Sequence, residues 1–337
     1  MNKLTKIGVS ALCGSLAGIS AANAGDLTVS GGADMTWMSK DDAVVGNPLG
    51  IGSNYTLSGS GELDNGWNVS LSIANTNANA YSNTNITIGV PGIGDIRVDQ
   101  GVSGTGVQRY DDITPTVWEE ADGAGLSAGI NKISGVSAGP NIEVTPTDLM
   151  PAGLTARLAW SPDADAASTT GDKATGGDSG VDASGWDITL EGGSDLHGVD
   201  GLTVYAGMSQ VDRYINSSGN TGDREEEFYG VKYAMGGFTV GYQVTKEDTG
   251  KTGTTEYENT SYGITFNVND DLSIGYAHTE SDASGGSANP EADSIQVAYT
   301  MGGATFRIAE VDVENQSYSA AATGDLSATV ISLGLAF

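Results

Sequence analysis

The sequence has one cysteine, two histidines and only 14 basic residues against 43 acidic ones, for a net charge of −29. Each scarcity removes a class of protein. With the single thiol at Cys13, near the N-terminus, no disulfide framework holds this chain together. Phosphate recognition rests on Lys and Arg, so nucleic acid is excluded as a partner. Beyond the N-terminus no apolar run approaches the roughly 18 residues needed for a helical membrane span, which removes a multi-helix membrane protein. Leu, Ile, Val and Phe make up about a fifth of the chain, at the edge of what a packed core requires. Composition leaves the class open, and the order of the residues decides it.

What is present begins with an export signal. Lys3 and Lys6 form a short positive segment, Ile7 to Ile19 supply an apolar stretch, and Ala22-Asn23-Ala24 is a small-residue cleavage site followed by polar Gly25-Asp26. This is the layout of a secretory signal peptide over residues 1–24. Leu12 stands before Cys13 where a lipoprotein site requires a small residue, so Cys13 is not read as a lipid anchor. Cleavage removes two lysines and no acid, leaving a mature chain of 25–337 with a charge of −31 and no cysteine. An exported chain without disulfides needs a large hydrogen-bonded architecture.

Apolar and polar residues alternate through almost the whole mature chain, the period of a strand with two unlike faces. Trp67, Val69, Leu71 and Ile73 alternate with Asn68, Ser70 and Ser72; Phe238, Val240, Tyr242 and Val244 do the same with Thr239, Gly241 and Gln243. Short turns such as Asp64-Asn65-Gly66 and 91–94 alternate with longer polar stretches such as 40–52, 162–183 and 315–325. The pattern predicts sixteen strands near 26–38, 53–63, 67–77, 84–90, 95–100, 140–149, 153–161 and 184–192, then 201–212, 224–234, 237–246, 255–268, 271–281, 292–301, 303–313 and 326–337. A competing strand at 125–133 would make the count odd and move later short turns to the other rim. That segment is therefore assigned to the long connection after the fifth strand.

The non-apolar face holds Gly, Ser and Thr, with few of the Lys and Glu that solubilise an exposed sheet. That fits a water-filled lumen with the apolar set facing lipid, and closure satisfies every strand edge. The predicted fold is all-β: a transmembrane antiparallel up-and-down barrel, a single domain over 25–337. Aromatics near the short turns (Trp67, Tyr233, Tyr299) suit an interfacial girdle. Leu333, Leu335 and terminal Phe337 alternate with small residues in a last strand ending on an aromatic, similar to the signal read by the outer-membrane assembly machinery of Gram-negative bacteria.

With the leader, the opening Gly25-Asp26-Leu27-Thr28-Val29 and the ending Leu333-Gly334-Leu335-Ala336-Phe337, the chain resembles a general Gram-negative porin. The likeness is to the sixteen-stranded, trimeric kind, and Tyr110-Asp111-Asp112 and Pro115-Thr116-Val117-Trp118-Glu119-Glu120 carry it toward the alphaproteobacterial branch. The resemblance implies an outer-membrane homotrimer in lipid and lipopolysaccharide that passes small hydrophilic solutes and ions. It also implies that the connection over 101–139 folds inward as a constriction loop. Asp111, Asp112, Glu119, Glu120 and Asp122 would then form a negative rim that attracts cations. Basic side chains on the facing wall are expected from inward strand positions: Arg97, Arg157, Arg307 and, more weakly, Lys232. The family's basic cluster is denser than this, which shifts the expected preference toward cations. The remaining acids, among them Asp163, Asp165, Asp172, Asp178, Asp182 and Glu225-Glu226-Glu227, are placed in outer loops. Divalent cations there would relieve repulsion and bridge to lipopolysaccharide, though solvated charge explains them as well and no metal ligand is nominated.

No catalytic residue and no cofactor is expected. His197 falls in a turn, and His278, late in a strand, reads as an ordinary pore-lining side chain. The Gly59/Gly61 and Gly104/Gly106 pairs lack the strand-turn-helix context of a phosphate loop. Two alternatives stay open: a substrate-selective channel of the same fold, and a secreted β-solenoid adhesin. The solenoid requires a fixed repeat, and Gly176-Gly177-Asp178 occurs once.

Overall fold

Sixteen antiparallel strands close into one barrel in which each pairs with its neighbours in sequence and the first with the last. The computed structural model describes residues 27–40, 47–77, 83–100, 104–164, 183–213, 219–253 and 256–336. The strands are β1 (Thr28–Lys40), β2 (Leu49–Glu62), β3 (Asn68–Thr76), β4 (Asn83–Val90), β5 (Gly94–Asp99) and β6 (Asn141–Thr145). Next come β7 (Leu154–Ser161), β8 (Gly185–Gly192), β9 (Leu202–Val211), β10 (Arg224–Met235) and β11 (Phe238–Asp248). The rest are β12 (Glu256–Asn267), β13 (Leu272–Ala283), β14 (Glu291–Met301), β15 (Ala304–Glu314) and β16 (Leu326–Ala336). Closure sets Met35 opposite Leu333 and Trp37 opposite Ile331. No edge is left unpaired, the condition hydrocarbon imposes on a sheet.

The strand count and order match the alternation, and the departures have local causes. β2 begins at Leu49, four residues before its predicted start, because Leu49 and Ile51 pair with Trp37 and Met35 and lengthen the apolar outer face. β6 stops at Thr145 because Pro146 has no N–H for the ladder, and Thr147–Leu149 turn instead. Residues 125–133 form no strand and run through the connection between β5 and β6.

Val240 and Tyr242 face outward, 40% and 45% exposed, while Gln243 beside them is buried inside. Phe238 and Phe266 stack on the outer face at 4.3 Å, one strand pair from the short-turn rim. Leu333 and Leu335 are exposed on that face; Phe337 lies outside the described residues.

Three sequence expectations are corrected. The lumen is not uniformly polar. On β15, Phe306 and Ile308 face out, but Glu310 and Asp312 follow them on the outer face while Ala309, Val311 and Val313 are buried inside. Second, Glu225-Glu226-Glu227 belong to β10, not to an outer loop, because their backbones pair with both β9 and β11. Glu226 points inward and is buried, with Glu225 and Glu227 exposed on the other face. Asp163 bridges Ala183 in the connection between β7 and β8, whereas Asp165, Asp172, Asp178 and Asp182 lie outside the described residues. Third, His278 does not line the pore. It shares the outward phase of Leu272, Ile274 and Tyr276, stacks on Tyr262 at 4.7 Å, and sets Nδ1 2.9 Å from an Asp293 carboxylate oxygen.

Candidate functional site

The segment 104–139 is lodged inside the barrel, moored by groups that strand alternation turns inward. At its start, the Gly106 N–H donates to Glu143 (2.8 Å) and the Val107 N–H to Asp187 (2.9 Å). At its return, the Val136 N–H reaches the same Asp187 carboxylate at 3.2 Å, so one buried acid ties both ends. Gly106 sits at φ +56° against that carboxylate, a backbone angle and a space that both demand glycine. Tyr110 stacks on Phe228 at 4.5 Å and on Tyr205 at 5.6 Å. Its hydroxyl donates to Glu191 (3.0 Å) and accepts from Arg157 (2.9 Å). Burial, ahead of any charge, pushes that hydroxyl up to about 12.

The middle of the segment crosses the wall at close range. Pro115 lies directly on Gly241 and Gly263, where any side chain would collide with it. Gln296 of β14 accepts from the Trp118 N–H (2.8 Å) and donates to the Glu119 carbonyl (2.6 Å). Ala121, Ala124, Leu126 and Ala128 then pack on Ala292, Ala309, Val311, Val313, Ala328 and Val330. This docking explains the apolar inner face of β15 and β16. The Ser134 and Gly135 N–H groups end on Glu226 (3.1 and 2.6 Å), and an outer connection clasps the segment where Tyr318 accepts from the Asn131 N–H at 3.0 Å.

These moorings belong to the wall from β6 round to β16. On β2 and β3 the inner face pairs Ser58 with Ser72 and Ser60 with Ser70, a polar lining of small side chains. The open part of the lumen therefore lies between the segment and the β2–β5 wall.

The five acids named from sequence sit on the segment, and Lys132, not anticipated, gathers three of them. Its ammonium lies 3.0 Å from Asp112, 3.0 Å from Glu120 and 3.5 Å from Asp122. Asp122 is buried; Asp111, Asp112 and Glu120 are half-buried, and Glu119 is exposed. Burial, reinforced by the Asp112 carboxylate, pushes the Asp111 carboxyl up to about 7. Burial and then Glu120 raise Glu119, and burial raises Asp122.

The basic residues named from sequence all have inward phase, but they do not form one cluster. Arg97 is 2.5 Å from Asp99 on its own strand. Arg157 is spent on the Tyr110 hydroxyl, beneath the segment. Arg307 reaches Asp34 of β1 at 3.0 Å and lies 5.9 Å from the Trp118 ring, at the seam between segment and open wall. Lys232 has no carboxylate within ion-pair range among the described residues, facing Thr203 and Gly241 across the ladder. Glu143 and Asp187 were missed from sequence and Glu226 was assigned to an outer loop, although each stands at an inward phase between outward residues, the same signal that marks the arginines. Among the described residues no group of three His, Cys, Asp or Glu side chains is arranged to hold a metal ion.

Arg307→Ala would leave Asp34 unpaired on the open wall. Its expected result is a stronger preference for cations, read as a shift in reversal potential in a salt gradient; an unchanged potential would refute the seam role of Arg307.

Comparison with known proteins agrees with this geometry. A family model described as Gram-negative porin matches residues 8–335. OmpF of Salmonella typhi, solved with daunomycin, superposes with a TM-score of 0.68 at 12% identity, covering 92% of this chain and 97% of that one. A loop-deletion mutant of OmpT, an outer membrane protein of Vibrio cholerae, gives 0.62 at 12% identity, with 93% and 99% covered. A mutant of the Rh. blastica porin gives 0.59 at 15% identity, with 93% and 100% covered. No curated protein sequence matches. At these identities the solved structures speak for the fold alone.

Proposed function

Since the chain belongs to the Gram-negative porin family, we propose that it is a cation-preferring diffusion channel for small hydrophilic solutes. The family and the barrel support an outer-membrane location and point to a channel rather than an enzyme. One observation carries the finer reading: the inward segment brings Asp111, Asp112, Glu119 and Glu120 into the lumen, Glu119 exposed and the others half-buried, while the arginines are tied up singly by acids or by the segment. Passage needs no chemistry. Size and charge at that edge decide it. Stepwise ohmic conductance in planar bilayers tests the channel, and a reversal potential favouring chloride would overturn the preference.

The remaining parts of the reading follow from the surface and the termini. Residues 1–24 direct export and are cleaved, and the C-terminal Leu333, Leu335 and Phe337 are read by the assembly machinery. Among the described residues, no charged side chain has outward phase on β16 or β1–β5, whereas β10–β15 carry Glu225, Glu258, Glu280, Asp293 and Glu310 outward. The uncharged sector joins copies in a homotrimer, and the acidic one faces lipopolysaccharide, with divalent cations bridging the two.

Lowering the pH through about 7 protonates Asp111, which is flanked by Asp112, Glu120 and Lys132. The edge loses negative charge and the cation preference should fall. Asp111→Asn should remove that pH dependence, and persistence of the dependence in the variant would refute the assignment.

A further inference from the structure

The acidic edge carries its own positive charge, and that charge is not on the barrel wall. Lys132 belongs to the same segment as Asp112, Glu120 and Asp122, and its ammonium lies among their three carboxylates. An ammonium is a compact point charge with three donors, suited to three separate acceptors where a planar guanidinium is suited to one or two. The wall behind the cluster brings no Lys, Arg, Asp or Glu: Asn259, Ser261, His278 and Thr279 of β12 and β13 close a cavity of about 20 Å³ with Lys132, Thr114, Ala121, Ile130 and the segment's acids other than Glu119. No other Lys or Arg lies within ion-pair distance of these three acids among the described residues. Removing the ammonium would leave the carboxylates of Asp112, Glu120 and Asp122 unopposed, oxygen donors of the kind hard divalent cations prefer.

We propose that Lys132 is the resident counter-cation of the constriction, a positioning residue that sets how strongly the pore selects cations and keeps its acidic edge from taking up divalent ions. The proposal rests on the channel reading above and deepens it. It makes the edge self-neutralising. Lys132 stays charged because three carboxylates outweigh its burial and raise its titration above the usual lysine range. Its side chain is about as exposed as those of Asp112 and Glu120, at 27% against 34% and 27%, so a passing ion meets their combined field.

The test uses the full-length channel in planar bilayers. Lys132→Met should raise the potassium-over-chloride permeability ratio by up to about thirtyfold, since losing one elementary charge about 4 Å from a passing ion in water favours the cation and disfavours the anion by about fivefold each. Calcium chloride added at roughly millimolar level, in the range of weak oxygen sites, should block K132M and leave the parent channel and K132R conducting. The double variant D112N/K132M keeps the parent's net charge and should return the ratio to the parent value. It also covers the case in which K132M, with its acids unopposed, does not fold. A conducting K132M with the parent ratio and no calcium block would overturn the assignment, as would a D112N/K132M channel more cation-selective than the parent. Absence of stepwise conductance in the parent would instead remove the channel reading, and this assignment with it.

Discussion

Asp187→Ala should widen the pore more than any change at the acidic edge. Its carboxylate accepts the Val107 N–H on the way in and the Val136 N–H on the way out, so a single substitution unties both ends of the inward segment. Each buried N–H left without an acceptor costs about 1–3 kcal/mol. Glu143 and Glu226 still hold Gly106 and Gly135, so the segment should fluctuate rather than leave the lumen. The expected readout is higher and noisier single-channel conductance with the barrel intact, since the strand ladders do not depend on this residue's side chain. Asp187→Asn, which keeps one acceptor oxygen, should fall between. A D187A channel with the parent's conductance and noise would show that the other moorings suffice alone.

Val240→Arg should cost about 1–2 kcal/mol of folding stability in lipid, between the roughly 2–4 kcal/mol of a lipid-facing Arg at the midplane and the about 0–1 kcal/mol of one at the interface. Val240 is outward and exposed, two residue pairs from the Met235/Phe238 rim. Thr239→Arg, one residue away on the inner face, should cost under about 1 kcal/mol because its charge meets water. Denaturant titrations of folding into vesicles separate the two. Equal costs would mean that the two faces see the same surroundings. Depth matters as well as face: on β15 the parent chain already carries Glu310 two residues past the exposed Ile308.

These two predictions divide what sequence reveals from what it hides. Val240 and Tyr242 were readable because a bilayer imposes apolar residues at every second position, and sixteen repetitions of that rule fixed the strands. The placement of the inward segment rested on resemblance, because nothing periodic describes a loop. Its dock was nevertheless written on the wall. On β15 the apolar phase runs through Phe306 and Ile308, then slips by one residue to Ala309, Val311 and Val313. On β16 it slips between Val330 and Ile331. Such a slip marks where a strand stops facing oil outside and water inside. Lys132 was hidden for another reason: its partners stand 10, 12 and 20 residues away along an irregular chain, and no spacing rule joins them.

The same slip leaves the cylinder with flanks of unequal oily height. On β2 no outward residue is charged from Leu57 up to Leu49, about 27 Å of strand. On β15 the apolar rungs end after Ile308. Mismatch of this kind costs fractions of a kcal/mol per Å. A lone protomer would have to lean in a slab of even thickness. Three copies joined through their tall flanks would bury them and offer lipid the short ones, so the assembly should insert most readily into bilayers of short-chain lipids.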